Sequence, residues 1–564
     1  MRILTLHCDY IKFKPIKKAI KNTEELDNKE EQEINEPLVI FTAIEKEDNS
    51  STVAQLVDAV KTTAKDVKAK NLVLYPYAHL SSNLASPEAA LKYMKEAEAM
   101  LKEEGFKVTR APFGYYKSFE LKCKGHPLSE LSKEFTSSKD TIEKEEDLSK
   151  MLKEISRTKL DTSKLKDNDH RILGQRLDLF SFNEASPGSV FWHPKGQVIF
   201  NELINFSRAL QKEAGYLEVS TPQIFDNKLW KISGHWSHYK ENIFLTDYEG
   251  KSSALKPMNC PGHMLLYRTS IRSYKDLPLR FSEYGPLHRM ELSGVLAGLF
   301  RVIRMHQDDT HIFCTLDQLE SEIEGIFKLI KKIYKETFGF SYSFNLSTRP
   351  EKFMGEIQDW NKAEAILEKI LKSSKISYQI KKGDGAFYGP KIDLDIKDSL
   401  NRTWQCATIQ LDIQLPKRFN LEYIGADNKQ HTPLVIHRAI FGSLERFIGI
   451  LLEHLNGNLP LWLSPVQLRL VNFTDRNIKA TEKLLQKIKE EIPELRIETD
   501  LRSATINEKI RDAEMQKTPF VIVIGDKEEE SSTLAVRERG QKPKFKIKFN
   551  DFIKDIKERI KNRE

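Results

Sequence analysis

The side chains best suited to bind a metal ion lie in three short segments of the central region. Cys260 and His263 occur in MNCPGHM, His311 and Cys314 in DDTHIFC, and His437 in PLVIHRA. Zinc prefers thiolate and imidazole ligands, and three protein ligands with an open fourth position are typical of an ion that also contacts substrate. The spacing does not select three ligands from these five residues. Buried structural cysteines and hydrogen-bonded histidines are the alternative.

Three arginines of the same region lie in apolar or acidic surroundings and could bind phosphate. Arg289 occurs in GPLHRMELSG, Arg301 in LFRVIRM and Arg446 in GSLERFIGILLE. The guanidinium group is always charged and binds phosphate through paired hydrogen bonds, so the three together could hold a nucleoside triphosphate. An exposed ion pair is the alternative for each arginine. The sequence contains no P-loop, no GxGxxG after a strand and no GxSxG nucleophile elbow.

An antiparallel sheet is the element that must position these residues. Between about residues 174 and 460, alternating strand patterns joined by short turns favour antiparallel pairing over repeated βαβ units; they include LRFSEYGPLHR, RVIRMHQDDTHIF, KIDLDIKD and WQCATIQLDIQLP. Both ends of the chain alternate strand and helix patterns, which predicts a compact α/β domain at each end. The segment from 132 to 173 is rich in lysine and glutamate and predicts a solvated helical linker.

Length and composition are typical of a soluble protein with several domains. The chain has 564 residues, of which 40% are hydrophobic and 30% charged, and 89 basic against 82 acidic residues give a formal charge of +7. This length predicts three or four domains, and the small positive excess allows a nucleic-acid partner without requiring one. Five scattered cysteines without a CxxC pair favour a reducing compartment. Because the sequence has no signal peptide and no long apolar run, we expect a cytoplasmic protein without a membrane span.

Motifs of the central region resemble those of class II aminoacyl-tRNA synthetases. GYLEVSTP is similar to the first class motif, RFSEYGPLHRMELSG with LFRVIRMHQDDTHIFC to the second, and GSLERFIGILLE to the third. The resemblance is narrowed to the threonyl-tRNA synthetase family by the ordered set SGHWSHY, MNCPGH, QDDTHIFC, GAFYGPKID, WQCATIQLD and VIHRAIFGSLERF. The archaeal type of this family has a deacylase-like editing domain. Three N-terminal segments are similar to that domain: MRILTLHCDYIKF, LYPYAHLSSNLA and APFGYYKSFELKCKGHPLSEL.

The resemblance implies a multidomain fold of the α+β and α/β classes. An N-terminal editing domain similar to D-aminoacyl-tRNA deacylases would occupy residues 1–135, and a charged helical linker would occupy 136–190. A class II catalytic core built on an antiparallel sheet would occupy 191–462. An α/β anticodon-binding domain would occupy 463–564.

The resemblance also implies a threonine–tRNA ligase. Such an enzyme forms threonyl-adenylate from L-threonine and ATP, transfers threonine to the 3′ end of tRNA(Thr), and hydrolyses mischarged seryl-tRNA(Thr). One Zn²⁺ per subunit, Mg²⁺ with ATP, and a homodimer are implied with it. An apolar pocket would separate threonine from isosteric valine by only about 100-fold, so a metal that binds the substrate hydroxyl is the expected selector. Serine keeps the hydroxyl, and a second filter is therefore expected.

Residue roles follow from the same motifs. The implied zinc ligands are Cys260, His311 and His437, which leaves His263 and Cys314 structural. ATP would be bound by Arg289, Glu291, Arg301, Gln405, Thr408 and Arg446, and threonine by Met258, Asp309, Tyr388, Gln405 and Gln410. The catalytic set would be Arg289, Arg301, Arg446, Lys391 and His235, the last near the tRNA 3′ adenosine. Editing is implied for His79, Tyr116, Lys117 and Glu130, with a water positioned by Lys117, and anticodon contacts for Arg537 and Arg539.

Three alternatives stay open at this point. Another class II synthetase, prolyl or seryl, is disfavoured by DDTHIFC and WQCATIQLD. A non-catalytic tRNA-binding relative and a free-standing deacylase with an inert appendage are both disfavoured because Arg289, Arg301 and Arg446 are all present.

Overall fold

The computed structural model describes residues 1–20, 24, 26, 30–135, 151–152 and 165–564. The chain divides into two compact units, Met1–Ser149 and Lys150–Glu564, and each is described by itself. Residues 136–150 and 153–164 of the predicted linker lie outside the described residues. Within the described part, no helix is long and apolar enough to cross a membrane.

The described part of the first unit is built on seven strands and two long helices. The strands are β1 (Arg2–Lys18), β2 (Gln32–Asn35), β3 (Pro37–Ala43), β4 (Asn71–Pro76), β5 (Lys107–Arg110), β6 (Tyr115–Cys123) and β7 (Glu130–Glu134), and the helices are Ser50–Asp66 and Pro87–Glu103. The order is β2-β1-β3-β4-β5, with β6 and β7 also paired to β1. The first half of β1 pairs with β3 and β7, and its second half pairs with β2 and β6.

The helices of this unit form where the sequence provides caps and an apolar stripe. Asn49 caps the first helix by accepting from the Thr52 amide, and Ser86 caps the second ahead of Pro87. Val53, Leu56, Val57 and Val60 recur at helical spacing and are buried against the sheet strands and the second helix.

The second unit, described from residue 165 onward, contains the predicted antiparallel sheet. Its strands up to residue 439 are β8 (Phe180–Phe182), β9 (Val190–Trp192), β10 (Leu217–Glu218), β11 (Ile224–Asp226), β12 (Leu245–Tyr248), β13 (Lys251–Leu255), β14 (Leu279–Glu283), β15 (Pro286–His288), β16 (Arg304–His306), β17 (Asp309–Cys314), β18 (Ser341–Ser347), β19 (Tyr378–Lys381), β20 (Lys391–Lys397), β21 (Thr403–Asp412), β22 (Tyr423–Ile424), β23 (Gln430–His431) and β24 (Leu434–Ala439). The central sheet has the order β10-β14-β17-β24-β21-β20-β18-β19. Every neighbouring pair is antiparallel except the two edge pairs.

Helices bury one face of this sheet and leave the other face for polar residues. The α-helices are His170–Arg176, Pro194–Glu213, Asn227–Ile232, His235–His238, Cys260–Tyr267, Leu319–Ile330, Ile357–Ser373, Leu415–Arg418 and Leu444–His454, and a π-helix follows at Lys331–Thr337. In β17, Ile312 and Cys314 join the large core cluster, whereas His311 lies on the opposite face because side chains alternate along a strand.

The described end of the predicted linker packs into the hydrophobic core of the central sheet. Residues 170–192 form the helix His170–Arg176 and the β8–β9 hairpin, and Leu173, Leu179 and Phe180 are buried in the core cluster of the sheet. The predicted boundary at residue 190 is therefore too late. Strands of three residues are too short to give a recognisable alternation, which is why the composition of the preceding segment dominated the prediction.

The C-terminal region forms the predicted small α/β fold. Its strands are β25 (Leu468–Asn472), β26 (Ile497–Asp500), β27 (Phe520–Ile524), β28 (Thr533–Glu538) and β29 (Lys544–Lys548), and its helices are Ile478–Glu491, Ile506–Met515, Asp526–Ser531 and Phe549–Asn562. The order is β26-β25-β27-β28-β29, parallel among the first three strands and antiparallel beyond. The predicted fold classes of the core and of this region are confirmed.

Candidate active site

The three predicted metal ligands meet on the polar face of the central sheet. His311 in β17 lies directly opposite His437 in β24, and Cys260 is the first residue of the helix Cys260–Tyr267. All three are buried, and one ligand atom from each lies within 4.8 Å of the other two. A single ion with bonds of about 2.0–2.3 Å could contact all three.

The hydrogen bonds of the two histidines leave one ring nitrogen of each for a metal. His437 Nε2 bonds Asp412 Oδ2 at 2.8 Å, and His311 Nδ1 bonds His263 Nδ1 at 2.8 Å. His437 Nδ1 and His311 Nε2 are buried and have no hydrogen-bond partner among the described residues. Burial lowers the pKa of His311, which favours the neutral imidazole that a metal binds. The site therefore fits a zinc-like ion.

A buried chain of hydrogen bonds leads from His311 Nδ1 through His263 to Glu283 and Lys256. His263 Nε2 bonds Glu283 Oε2 at 3.0 Å, and Glu283 Oε1 accepts from Lys256 Nζ at 2.7 Å. Burial alone would raise the pKa of Glu283, but the hydrogen bonds from His263 and Lys256 outweigh it and hold that pKa at about 2. If His311 binds a metal through Nε2, its Nδ1 carries the proton and donates to His263, which donates to the Glu283 carboxylate.

Sequence reasoning assigned no role to the residues that support the ligands, although alternation contained the signal. Asp412 follows Gln410 by two residues on β21, and Glu283 in β14 lies opposite Asp309 in β17. Each acid therefore lies on the same face of the sheet as the predicted site. Lys256 had no comparable signal, because it lies just beyond the end of β13.

Three of the predicted threonine-binding residues, Gln410, Tyr388 and Asp309, lie close to the predicted metal ligands. Gln410 lies opposite His437 in the sheet register, and its side-chain oxygen accepts a hydrogen bond from the Tyr388 hydroxyl. The ring of Tyr388 is centred 4.9 Å from the ring of His437. Asp309 Oδ2 accepts from Asn259 Nδ2 at 3.0 Å, and burial raises the pKa of this carboxyl. Polar side chains of three strands and a loop thus converge beside the metal ligands.

A β-bulge brings Gln405 to the same face as Gln410. Side chains five residues apart on a regular strand point to opposite faces. In β21, however, Thr408 pairs with Asp393 whereas Gln405 pairs with Asp395, so β21 contains one extra residue between these pairs. Gln405 Nε2 consequently donates to Asp393 Oδ1 at 2.7 Å on the polar face.

Lys391 and Thr408 lie beside this bulge. Lys391 Nζ is 2.9 Å from Asp393 Oδ2, and Lys391 lies opposite Gln410 in the sheet. Thr408 Oγ1 accepts from Gln410 Nε2 at 3.4 Å. The structure therefore brings these two predicted residues into one polar strip with both glutamines.

His235 lies beneath the pocket and has no exposed surface. Its Nδ1 bonds Ser233 Oγ at 2.8 Å, and its Nε2 lies 3.0 Å from Met258 Sδ. Burial lowers the pKa of His235 to about 3, so its ring is neutral at physiological pH. The catalytic role predicted for His235 stays a prediction, because this ring is fully buried and contacts Met258, two residues before Cys260.

The three predicted phosphate-binding arginines have different surroundings. Arg289 follows β15 and donates from Nε to the Pro257 carbonyl at 3.3 Å. Arg301 forms an ion pair with Glu291 at 2.8 Å, which joins two predicted nucleotide-binding residues across one loop. Arg446 lies in the first turn of the helix Leu444–His454, with its guanidinium 5.5 Å from the Trp404 ring.

A separate cavity lies in the first unit and has a volume of about 480 Å³. His79, Tyr116 and Lys117 line it, together with apolar residues and Tyr75. The structure does not bring Glu130 to this cavity. Glu130 lies in β7 opposite Leu6 and is not among the residues that line it.

Lys117 is a polar group of this cavity whose chemistry is altered by burial. Its Nζ donates to the carbonyls of Pro112 at 2.8 Å and Tyr115 at 3.2 Å, and lies 4.9 Å from the Tyr75 ring centroid. Burial lowers the pKa of this amine to about 8. Lys117 can therefore exchange a proton near neutral pH.

Three family models match consecutive parts of the chain. The archaea-specific editing domain of threonyl-tRNA synthetase matches residues 1–135. The tRNA synthetase class II core domain (G, H, P, S and T) matches residues 241–455, and an anticodon-binding domain matches residues 467–559.

Individual relatives agree with these models. The RNA-binding domain of threonyl-tRNA synthetase from Cryptosporidium parvum, a crystal structure, is 40% identical, has a TM-score of 0.67, and is matched over 98% of its own length and 69% of this chain. This chain belongs to the threonyl-tRNA synthetase family. Another family structure, the putative threonyl-tRNA synthetase ThrRS-1 from Aeropyrum pernix, is 27% identical with a TM-score of 0.62, covering 70% of this chain and 96% of that one.

Curated members of the threonyl-tRNA synthetase family are matched over part of their length. The threonine–tRNA ligase of Desulforamulus reducens is 50% identical over 398 residues, which is 71% of this chain and 62% of that protein. This chain therefore spans about three fifths of the length of that curated protein.

The two arginines predicted to contact the anticodon differ in how strongly the protein holds their side chains. Arg539 donates to the carbonyls of Lys517 at 2.6 Å and Leu459 at 2.7 Å, and burial lowers its pKa. Its guanidinium therefore fastens the C-terminal fold to the segment that precedes it, which argues against the anticodon contact predicted for it. Arg537 has a weaker contact, 3.4 Å to Glu514, and for this residue alone we keep the prediction.

Proposed function

We propose that the chain is a threonine–tRNA ligase that activates L-threonine with ATP and transfers it to the 3′ end of tRNA(Thr). The observation that carries this proposal is the convergence of Cys260, His311 and His437 beside Gln410 and Tyr388. The thiol and the imidazoles suit a Zn²⁺ ion that keeps open coordination positions for substrate. When bound, this ion would supply a Lewis acid that recognises the amino and hydroxyl groups of threonine.

The residues around that position select and orient the amino acid. Gln410, Tyr388 and Asp309 offer hydrogen-bonding groups next to the metal ligands, where the ammonium and hydroxyl groups of threonine would lie. A buried polar site of this kind rejects an analogue that lacks the hydroxyl, because the site's own groups are then left without partners. Valine is therefore excluded at activation, and serine is admitted with a weaker fit.

Arginines complete the chemistry of activation. The threonine carboxylate attacks the α-phosphorus of ATP, the bond to the β-phosphate oxygen breaks, and pyrophosphate leaves. Arg289 would hold the α-phosphate and Arg446 the γ-phosphate, with Arg301 and Glu291 contributing from the loop between β15 and β16. Mg²⁺ bound with ATP would neutralise phosphate charge.

Transfer to tRNA and correction of errors complete the proposal. We place hydrolysis of seryl-tRNA(Thr) in the cavity that contains His79, Tyr116 and Lys117, since its apolar walls and perturbed lysine suit a positioned water.

The proposal also includes a cytoplasmic location and a homodimer. The edge strand β10 supports dimerisation, because it exposes Leu217 and leaves one side of its backbone open for pairing. An active chain that light scattering shows to be monomeric would contradict the dimer.

Charging of tRNA(Thr) with labelled threonine tests the ligase. We expect the wild-type chain to charge threonine and Cys260→Ser to lose most of that activity, because serine is a poor zinc ligand. Cys314→Ser is the matched control: it changes a buried cysteine on the opposite face of β17. Equal loss in both variants would contradict a metal role for Cys260.

Deacylation of seryl-tRNA(Thr) tests the editing assignment separately. We expect Lys117→Met to abolish it and to leave threonine charging unchanged. Lys122→Met is the control, because Lys122 lies on the same strand but is exposed and does not line the cavity. Normal deacylation by Lys117→Met would exclude this lysine from the reaction.

A further inference from the structure

A fully buried histidine connects two segments of the proposed nucleotide site. His170 begins the helix His170–Arg176, and its Nδ1 lies 2.6 Å from Glu453 Oε1. Its Nε2 accepts the Leu299 amide at 3.0 Å. Glu453 lies near the end of the helix that begins beside Arg446, and Leu299 is two residues before Arg301.

The hydrogen bonds of His170 fix its tautomer and exclude a metal. An amide nitrogen only donates, so Nε2 of His170 is the acceptor and Nδ1 carries the proton that is donated to Glu453. Glu453 also accepts from the Arg402 guanidinium and from the His170 amide. Asp169, His170 and Glu453 lie close enough together to hold an ion. In contrast to His311 and His437, however, the ring of His170 uses both nitrogens within the protein.

Aromatic contacts extend from His170 to the proposed phosphate site. The ring of Phe300 is centred 4.2 Å from that of His170 and 4.4 Å from that of Trp404. Trp404 in turn contacts the Arg446 guanidinium at 5.5 Å. A Cβ atom at Gly298 would lie 2.3 Å from His170 Nε2, so this loop approaches the histidine as closely as a glycine permits.

The hairpin that follows His170 contacts the other end of the same loop. The Gly188 carbonyl accepts the Ile303 amide at 2.7 Å. Phe182 and Val190 pack against the cluster of Leu287, Val302 and Met305, which lies at the base of the β15–β16 hairpin. Residues 170–192 therefore brace the loop that carries Arg301 at both of its ends.

We infer that His170 is a positioning residue for ATP, which fixes the 297–301 loop against the helix of Arg446 and so holds Arg301 and Arg446 at the spacing that the triphosphate requires. This inference rests on the proposed function, and it deepens that function by assigning the segment 170–192 to nucleotide binding. Threonine binding is independent of His170, because the metal ligands and Gln410 lie on other elements.

Equilibrium binding of ATP, together with threonine-dependent ATP–pyrophosphate exchange, tests the inference. His170→Phe keeps an aromatic ring but removes both hydrogen bonds, and Gly298→Ala pushes the loop away from the other side of the same contact. We expect each variant to raise the Kd and the KM for ATP at least 10-fold. The KM for threonine and the zinc content should stay within about twofold of wild type.

His454→Phe is the matched control. His454 lies next to Glu453, and its ring packs on Phe340 and accepts the Ser399 amide, away from the loop. Its Kd for ATP should equal that of wild type. Unchanged ATP binding in His170→Phe, or an equal rise of both KM values, would overturn the inference; if that variant does not fold, Gly298→Ala decides it. A wild-type chain without threonine-dependent exchange would instead refute the proposed function, and the Kd for ATP would still test the loop.

Discussion

Replacing Asp412 by asparagine should weaken metal binding by His437, because it favours the wrong tautomer of that histidine. Asp412 Oδ2 bonds His437 Nε2 at 2.8 Å, while Oδ1 accepts the amides of Gln414 at 2.7 Å and Leu415 at 3.0 Å. The carboxylate is fully buried and uses both oxygens as acceptors. An asparagine offers only one acceptor atom at this position.

Either orientation of the asparagine amide is unfavourable. If its oxygen faces the two backbone amides, its NH₂ group faces His437 Nε2, which must then be unprotonated. The ring proton is thereby moved to Nδ1, the nitrogen required by the metal. If its oxygen faces His437, the NH₂ group meets the backbone N–H groups of Gln414 and Leu415. Loss of such a supporting partner typically costs 10- to 100-fold in metal affinity, which is about 1.4–2.7 kcal/mol.

Competition with a chromophoric chelator measures this change. We expect Asp412→Asn to weaken zinc binding by about 10- to 100-fold and to raise the KM for threonine. Asp393→Asn is the matched control, because Asp393 is an equally buried acid of the same sheet that bonds Gln405, Ser347 and Lys391 but no metal ligand. Zinc affinity equal to wild type in Asp412→Asn would refute the tautomer argument.

Further predictions concern the other elements of the chain. Trace acetylation of Lys117, followed by mass spectrometry across pH, should show a midpoint near 8, because burial lowers the pKa of this amine; a midpoint above 10 would contradict its burial. Arg539→Ala should lower the free energy of unfolding by about 1–3 kcal/mol, because two carbonyls lose their donor, without changing the KM for tRNA. Arg537→Ala should raise that KM at unchanged stability, and the reverse pattern would restore the anticodon role to Arg539. Gly389→Ala places a Cβ atom 2.0 Å from the Leu411 carbonyl and should destabilise the β20–β21 pair by about 1–3 kcal/mol. Gly325 has open space around it, so Gly325→Ala should not destabilise the protein. Equal melting curves for the two variants would disprove the close contact at Gly389.

Local patterns were sufficient to predict the sheet and its polar face. Alternation in DDTHIFC, and in WQCATIQLD from Thr408 onward, places the predicted residues on defined faces, and antiparallel pairing then brings His311 opposite His437. The family resemblance selected Cys260, His311 and His437 from the five candidate ligands, which spacing alone could not do. The chemistry of the ligand positions was therefore readable from the sequence.

Features that depend on distant contacts were not predictable. The bulge in β21 reverses the face of Gln405, and no residue type in that strand marks it. Arg539 finds an acceptor at Leu459, 80 residues away, so its sequence context in LAVRERG gave no indication of that contact. The bracing role inferred for residues 170–192 depends on contacts with the 297–301 loop and Ile303, more than 100 residues away along the chain. Hydrophobic periodicity carries no information about contacts at that sequence separation.

The measurement that tests the central claim most directly is amino-acid-dependent ATP–pyrophosphate exchange on protein of known zinc content. Threonine, serine and valine should be compared with the wild-type chain. We predict strong exchange with threonine, weaker exchange with serine and none with valine, because the proposed metal ligands and Gln410 would surround the substrate hydroxyl. Exchange with valine at the level of serine, or no exchange with threonine from zinc-replete protein, would contradict a hydroxyl-reading metal site in this chain.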